Sequence, residues 1–272
     1  MCIEIVGQDK LLNKINSYTI DTLPRTILII GDEGSGKHLI SKHIATKFNL
    51  IFEDITESIS YDKIMDMQLK TDPYLYVIDT DNDHFQIKNQ NMILKFIEEP
   101  LKNTYIILLS RTGNNLLPTI INRCQTLNIQ IYTRDILSKF ISDTDKRDLI
   151  LSICSTPGQI EKYKDIDINS ILDLANKIVE KIKIATLPNT LSISNKLSFK
   201  GELDKIDVKL FGKVLCKCIT DHIVAKENKY DYYLLINDFY NKLYTKNIDK
   251  KHLFENFITK LWEVGHNEVT NN

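Results

Sequence analysis

Residues 28–38, LIIGDEGSGKH, determine how the rest of this chain is interpreted. A short apolar run ends in a glycine-rich turn, and from Leu39 onward the pattern is helical. This is the strand, loop and helix of a P-loop, in the spacing G-x-x-x-x-G-K. Glycines let backbone N–H groups turn toward a phosphate, and the positive end of the helix attracts it. The predicted nucleotide-binding positions in this stretch are Gly31, Gly34, Ser35, Gly36, Lys37 and His38.

One position departs from the P-loop pattern. Ser or Thr normally follows the lysine, where its hydroxyl helps to hold Mg²⁺, but this chain has His38. We therefore expect a weak or vestigial site for ATP or ADP, in which Mg²⁺ contributes little. The alternative is a glycine-rich turn that binds nothing, which is rare where strand, spacing and helix coincide.

Length and composition narrow the class of protein. The 272 residues suffice for two or three domains, and 43% hydrophobic and 26% charged residues are typical of a soluble protein. A formal net charge of -1 excludes a globally basic nucleic-acid binder, although not a local basic patch. The sequence has no apolar run of membrane-spanning length and no signal peptide, so we expect a cytoplasmic protein without membrane contact.

The cysteines do not form a recognisable zinc motif, and we expect no zinc. Five cysteines is an odd number, and only two of them are close together, as C-K-C, without a second pair. We interpret them as reduced thiols of the core: Cys2, Cys124, Cys154, Cys216 and Cys218.

The first half of the chain alternates strands with helices, which predicts an α/β domain with a parallel sheet. The predicted strands are Thr26–Ile30, Leu50–Ile55, Tyr74–Asp79, Thr104–Leu109 and Cys124–Ile129. Helices are expected between them, although the polar segment Ser58–Lys70 is ambiguous.

Two strand ends carry side chains that we expect near the nucleotide. Asp79 ends an apolar strand, which after a P-loop predicts the Walker B carboxylate that orients Mg²⁺. Without the P-loop before it, this stretch would be interpreted more simply as a buried strand followed by an Asx turn. Ser110 ends the strand that follows, at the sheet edge that faces ligands in open parallel sheets. Thr80 stands where an ATPase that activates water usually has a glutamate, with Asp81 and Asp83 nearby.

From Tyr132 onward the pattern is helical. Three short amphipathic helices are expected up to about residue 165, and further helices beyond it, one of them at Leu191–Leu197. Two apolar stripes predict that the last helices pack together. These stripes are Leu234/Phe239/Leu243 and Leu253/Phe257/Leu261. Periodicity alone indicates no more than a helical bundle.

Residues 91–125, NMILKFIEEPLKNTYIILLSRTGNNLLPTIINRCQ, closely resemble the bacterial clamp-loader ATPase family. The corresponding family motifs are N-A-L-L-K-x-L-E-E-P-P and L-P-T-I-x-S-R-C-Q. The resemblance implies an AAA+ fold: a nucleotide-binding domain (1–128), a three-helix lid (129–165) and a helical collar for oligomerisation (166–272). It is strong at 91–125 and loose after Asp165.

Within that family the chain resembles the delta-prime type of DNA polymerase III subunit. Residues 155–158, STPG, are similar to its S-P-G turn, whereas motor subunits have a nucleotide-sensing arginine at the position of Gly158. His38, Thr80 and Gly158 all depart from the pattern needed for autonomous hydrolysis, so we expect little or no intrinsic ATPase.

The retained arginine motif is N-R-C at residues 122–124, where the family has S-R-C. The resemblance implies that Arg123 is an arginine finger for the ATP of a neighbouring subunit. The implied partners are motor and delta-like clamp-loader subunits, the sliding clamp and, through the complex, primer-template DNA. Two alternatives stay open: an active motor ATPase in which Asp81 or Asp83 replaces the glutamate, and a scaffold in which Arg123 makes only a local salt bridge.

Overall fold

The protein is described from a computed structural model, which describes residues 5–82, 85–99, 103–142, 146–184, 186, 189, 207–223, 229–245 and 248–266. It divides into two compact units, Met1–Lys164 and Asp165–Asn272.

The first unit is built on a parallel sheet of five strands in the order β2-β3-β4-β1-β5. The strands are β1 (Thr26–Ile30), β2 (Ile51–Asp54), β3 (Tyr74–Asp79), β4 (Thr104–Ser110) and β5 (Gln125–Asn128). The helices of this part are α1 (Asp9–Asn16), α2 (Lys37–Lys47), α3 (Tyr61–Leu69), α4 (Ile87–Glu98) and α5 (Pro118–Ile121). The predicted α/β class with a parallel sheet is confirmed.

The sheet is buried on both faces, which explains its continuous apolar strands. Alternate residues of β1 enter different cores: Ile27 and Ile29 belong to one hydrophobic cluster and Leu28 to the other. Side chains of α1 and α2 fill the first cluster, and those of α3, α4 and α5 fill the second. Since the glycine-rich loop follows β1 and Asp79 ends β3, the core fixes where these predicted site residues emerge from the sheet.

Three short helices complete the first unit: α6 (Arg134–Ser138), α7 (Arg147–Ile153) and α8 (Pro157–Tyr163). Thr156 caps α8 by accepting a hydrogen bond from the Gln159 N–H. We refer to residues 129–165, which contain these three helices, as the lid.

The second unit is helical in the part that the structure describes. Its helices are α9 (Ile168–Ile184), α10 (Val208–Ile223), α11 (Lys229–Leu243) and α12 (Lys250–His266). Phe239 stacks on Phe257 with ring centroids 4.0 Å apart. Gly212 allows α10 to approach α11 closely, because a Cβ there would lie 2.6 Å from Leu243 Cδ2.

Three helix predictions have different outcomes: one is decided by the structure, one is wrong in part and one lies outside the described residues. The ambiguous segment contains α3, whose start is fixed by Ser60 accepting a hydrogen bond from the Lys63 N–H. Leu234, predicted to pack with Phe239 and Leu243, is 51% exposed, because three residues in a loose stripe do not share one helix face. The predicted helix Leu191–Leu197 lies outside the described residues.

Candidate functional site

The glycine-rich loop joins β1 to α2 at the carboxyl edge of the sheet. Gly34 and Gly36 have φ of 75° and 87°, a left-handed conformation that other residues rarely adopt. The Gly31 N–H donates to Ser110 O at 3.0 Å, which ties the loop to the end of β4. Lys37 Nζ donates to the carbonyls of Gly31 and Asp32, the latter at 3.1 Å. The lysine therefore lies across its own loop.

The lid holds the loop from outside. Thr156 Oγ1 and Gln159 Nε2 donate to Glu33 O at 2.7 and 3.1 Å, and the Gly158 N–H donates to Gly34 O at 2.9 Å. Tyr132 OH donates to Ser35 O at 2.9 Å. Three successive carbonyls of the loop are thus fixed by the lid.

These contacts orient the amides of the loop as well. In a trans peptide the N–H points away from the C=O, so each fixed carbonyl turns the following N–H to the opposite side. Ser35 N–H bonds Asp32 O within the loop at 3.2 Å. In a P-loop, the amides of the loop and the first N–H groups of the helix are the groups that bind an anion.

Lid and loop approach so closely that both need glycine. A Cβ on Gly158 would lie 2.6 Å from Gly34 Cα and 2.8 Å from Gly34 O. A Cβ on Gly34 would lie 2.8 Å from the Gln159 N. Side chains reinforce the contact, since Ser155 Oγ donates to Asp32 Oδ2 at 3.0 Å and Lys162 Nζ lies 3.5 Å from Glu33 Oε1.

The field around Lys37 is acidic. Burial lowers the pKa of Lys37, while Asp81, Asp79, Asp32 and Glu33 counteract this by favouring its charged form. Four carboxylates around one ammonium oppose the approach of a polyphosphate unless a cation accompanies it.

His38, at the position of the missing hydroxyl, is paired within the protein. Its Nε2 lies 3.0 Å from Asp54 Oδ2, while Asp54 Oδ1 accepts from the N–H and hydroxyl of Thr56. Burial alone would raise the pKa of Asp54, but the hydrogen bonds from Thr56 and His38 outweigh it and lower that pKa. His38, Asp54 and Asp79 line a cavity of about 440 Å³.

Asp79 and Ser110 lie at the predicted strand ends, but both are engaged. The Asp79 N–H donates to Thr56 Oγ1 at 2.9 Å, and Asp79 Oδ1 accepts from the Asp81 N–H. Ser110 is fully buried and accepts from the Gly113 N–H at 3.0 Å. The structure thus brings Asp79 near Lys37 and holds Ser110 below the surface.

Neither Thr80, at the position where an ATPase usually has its water-activating glutamate, nor the nearby Asp81 is free to take that role. Thr80 is buried, and its hydroxyl donates to Leu109 O at 2.9 Å, so it points into the sheet. Burial and the neighbouring Asp79 raise the pKa of Asp81, whose carboxylate accepts the Arg111 N–H. Asp83 lies outside the described residues.

Arg123 lies at the other edge of the sheet. It precedes β5, whereas the P-loop follows β1, and β1 and β5 run parallel. Its Nη2 is 2.9 Å from Glu98 Oε1, its Nη1 donates to Thr119 O at 2.9 Å, and its side chain is 41% exposed. Glu98 was not predicted as its partner, because no local spacing links α4 to the turn before β5.

The described cysteines are free thiols, and burial raises the pKa of Cys124 and of Cys216 to about 12. A thiol with such a pKa is a poor nucleophile. Among the residues that the structure describes, no group of His, Cys, Asp and Glu is arranged to hold a metal ion. No helix in the described ranges is long and apolar enough to span a membrane.

Comparison with known proteins finds a family model that matches the central part of the chain. Residues 50–133 match the family model "DNA polymerase III, delta subunit". This match covers less than half of the chain. DNA polymerase III subunit delta-prime of Bacillus subtilis is 42% identical over 62 residues, which are 23% of this chain and 18% of that protein.

A solved structure with a similar fold also matches this chain. A variant of RuvB from Thermotoga maritima matches with a TM-score of 0.51 and 13% identity, covering 75% of this chain and 85% of that one. A DNA polymerase III gamma-subunit-related protein from the same organism has a TM-score of 0.44 and 16% identity, covering 95% of this chain and 99% of that one. The likeness to the RuvB variant shows a shared fold and carries no statement about function.

Sequence reasoning missed the residues that fasten the lid. Asp32, Glu33 and Gln159 occupy variable positions of their motifs, and more than 120 residues separate the two sides of the contact. The signal available was Gly158, where a small residue replaces the arginine of motor subunits.

Proposed function

We propose that this chain is a delta-prime-like stator subunit of a DNA polymerase clamp loader. In this role it joins motor and delta-like subunits in a ring that loads the sliding clamp onto primer-template DNA. Residues 1–128 form the nucleotide-binding domain, 129–165 the lid and 166–272 the collar that holds the ring together. Its chemical contribution is Arg123, which acts as an arginine finger on the ATP of a neighbour.

The observation that carries this proposal is the separation of Arg123 from the chain's own P-loop. The five residues of β1 lie between the two edges, a distance of about 13 Å along the strand. Arg123 therefore serves no phosphate in its own loop. A guanidinium at this edge can meet charge that develops on a γ-phosphate carried by another subunit.

The pair with Glu98 is compatible with a finger. Both side chains are about 40% exposed, and ion pairs of that kind contribute only about 0–1 kcal/mol. A phosphate can compete for the guanidinium or use the donors that Glu98 and Thr119 leave open, since arginine has five. The same pair is also what a scaffold without a finger would show, so the two functions must be separated by experiment.

The motor alternative is weaker on the geometry of the site. A motor must activate water and hold Mg²⁺, but Thr80 is turned into the sheet and His38 is paired with Asp54. Asp81, which would have to replace the glutamate, accepts the Arg111 N–H.

The test compares complexes assembled with wild-type chain, Arg123→Ala, Arg123→Lys or Arg134→Ala. Arg134 is the matched control, an exposed arginine of the lid paired with Asp148 at 2.8 Å. ATP turnover is measured on primed DNA with clamp present, with only the motor subunit beside this chain left active. An arginine finger contributes on the order of 10³–10⁵ in turnover, so we expect a large loss with Arg123→Ala.

Arg123→Lys should recover little, because lysine lacks the planar fork. Folding and assembly should stay intact in both variants, since Arg123 is half-exposed. Wild-type turnover from the Arg123→Ala complex would leave the chain a scaffold. Robust hydrolysis by the isolated chain, abolished by Lys37→Ala, would favour the motor.

A further inference from the structure

A second cavity, of about 560 Å³, lies at the amino edge of the sheet around Arg123. Its walls come from the residues before β1, the end of α4 and the turn before β5. Arg25 and Arg123 both line it, together with Glu98 and Glu99. Two guanidinium groups in one cavity indicate an anion, provided that their charges are not already neutralised by partners within the chain.

Among the residues that the structure describes, Arg25 has no such partner. Its guanidinium carbon lies 4.5 Å from the centre of the Tyr105 ring, and its Nη1 is buried without a hydrogen-bond acceptor in the structure as described. A buried donor on a charged group that stays unpaired is costly, and such groups in native proteins require an explanation. Of the two carboxylates in the cavity, Glu98 pairs with Arg123, and Glu99 forms no ion pair with Arg25 in the structure as described.

The sheet brings the two arginines to the same place. In the parallel pairing of β1 and β5, Ile27 lies opposite Gln125, and each arginine precedes its strand residue by two positions. Neighbouring strands are about 4.8 Å apart, so the two side chains start from adjacent points on one edge. The carbonyl of Arg25 accepts the Ile106 N–H at 2.8 Å, which fixes the backbone from which its side chain departs.

Arg123 uses two of its donor groups within the described part of the chain. Its Nη2 pairs with Glu98, and its Nη1 donates to the Thr119 carbonyl. The guanidinium therefore keeps donors for a ligand, while its plane is fixed by two partners. A terminal phosphate spreads its charge over three oxygens, which is more than one guanidinium fork can engage.

We propose that Arg25 is a second anion-binding residue of this edge, which contacts a terminal phosphate of the nucleotide held by the neighbouring subunit alongside Arg123. This inference rests on the proposed function, since it needs a neighbour's nucleotide at Arg123. It adds a residue that the family motif does not mark. Arg25 holds the phosphate in both ground and transition states, whereas Arg123 acts on the charge that develops during transfer.

The experiment uses the same complexes with one active interface and three further versions of this chain, Arg25→Ala, Arg25→Gln and Arg25→Lys, with Arg134→Ala again as the control. We expect Arg25→Ala and Arg25→Gln to reduce kcat/KM for ATP by roughly tenfold or more, the effect of losing a charged hydrogen bond. The KM for ATP should rise in both. Arg25→Lys should lose less, because it keeps the charge and the contact with the Tyr105 ring.

The variants separate binding from structure. Arg25→Gln is close in size to arginine and stands in for Arg25→Ala should that variant fail to assemble. If only the packing of Arg25 mattered, the Gln and Lys variants would behave alike, and that outcome overturns the proposal. Wild-type kcat/KM for Arg25→Gln beside a large loss for Arg123→Ala also overturns it, yet leaves the proposed function standing. Wild-type rates from both Arg25→Gln and Arg123→Ala would overturn this proposal and the arginine-finger function together.

Discussion

Replacing Gly158 by alanine tests whether the lid is docked on the P-loop in solution. The added Cβ would lie 2.6 Å from Gly34 Cα and 2.8 Å from Gly34 O. Both atoms belong to the backbone, so neither can rotate away as a side chain would. Inserting a methyl group into such a contact typically costs about 1–3 kcal/mol. The hydrogen bond from the Gly158 N–H to Gly34 O would be weakened at the same time.

The competing effect has the opposite sign, and this makes the experiment decisive. Gly158 lies in the first turn of α8, where alanine is favoured over glycine by up to about 0.5–1 kcal/mol. With an open lid only this effect would remain, and the variant would be more stable than the wild type. With the docked lid, the steric cost exceeds the helix gain, and the variant is less stable.

The assay is thermal and denaturant unfolding of the full chain, with hydrogen exchange of the lid amides. For a unit of 164 residues, each kcal/mol corresponds to about 2–4 °C in Tm. We expect Gly158→Ala to lower the Tm and to accelerate exchange at Gly158 and in the P-loop. Glu161→Ala, on the exposed side of α8, is the control and should change little. A higher Tm for Gly158→Ala with unchanged exchange would refute the docked lid.

Two further predictions concern the nucleotide site. Calorimetric titration of the isolated chain should show weak binding of ATP or ADP, which Lys37→Ala abolishes and Mg²⁺ barely improves. The variant His38→Ser should bind nucleotide in a Mg²⁺-dependent way but should not hydrolyse it. Equal Mg²⁺ dependence of nucleotide binding in the wild type would contradict this. Because the folded protein lowers the pKa of Asp54, the wild type should be more stable than Asp54→Asn above about pH 4, where the unfolded carboxylate is also charged. This difference in the free energy of unfolding should vanish as the pH falls through the pKa of Asp54 in the folded protein. It is measured by unfolding both proteins from pH 2 to 7. A difference that does not change with pH would argue against a charged contact of Asp54.

Much of the first unit could be predicted because its signals are local. A buried parallel strand is a continuous apolar run, so all five strands were found within one or two residues of their ends. The P-loop spacing and the carboxylate at the end of β3 likewise depend on neighbours in sequence. Helix α3 was ambiguous because its pattern is weak and its start depends on one capping residue, Ser60.

The interactions that decide the site could not be predicted, because they join distant segments. The pairing of Arg123 with Glu98 and the docking of Gly158 on Gly34 follow from tertiary packing. Arg25 carries no sequence signal at all, since an arginine before a strand is ordinary. Its meaning arises only from the register that places it beside Arg123.

The docked lid gives the P-loop glycines a role that does not require a nucleotide. Gly34 is normally explained by the close approach of a phosphate to the backbone. Here the Gly158 backbone approaches from outside the loop, and a Cβ on Gly34 would collide with it. The surrounding acids oppose a polyphosphate, while the lid supplies the loop carbonyls with donors that are always present. The loop can therefore keep its glycines and its shape as the surface on which the lid docks, whether or not this subunit holds nucleotide.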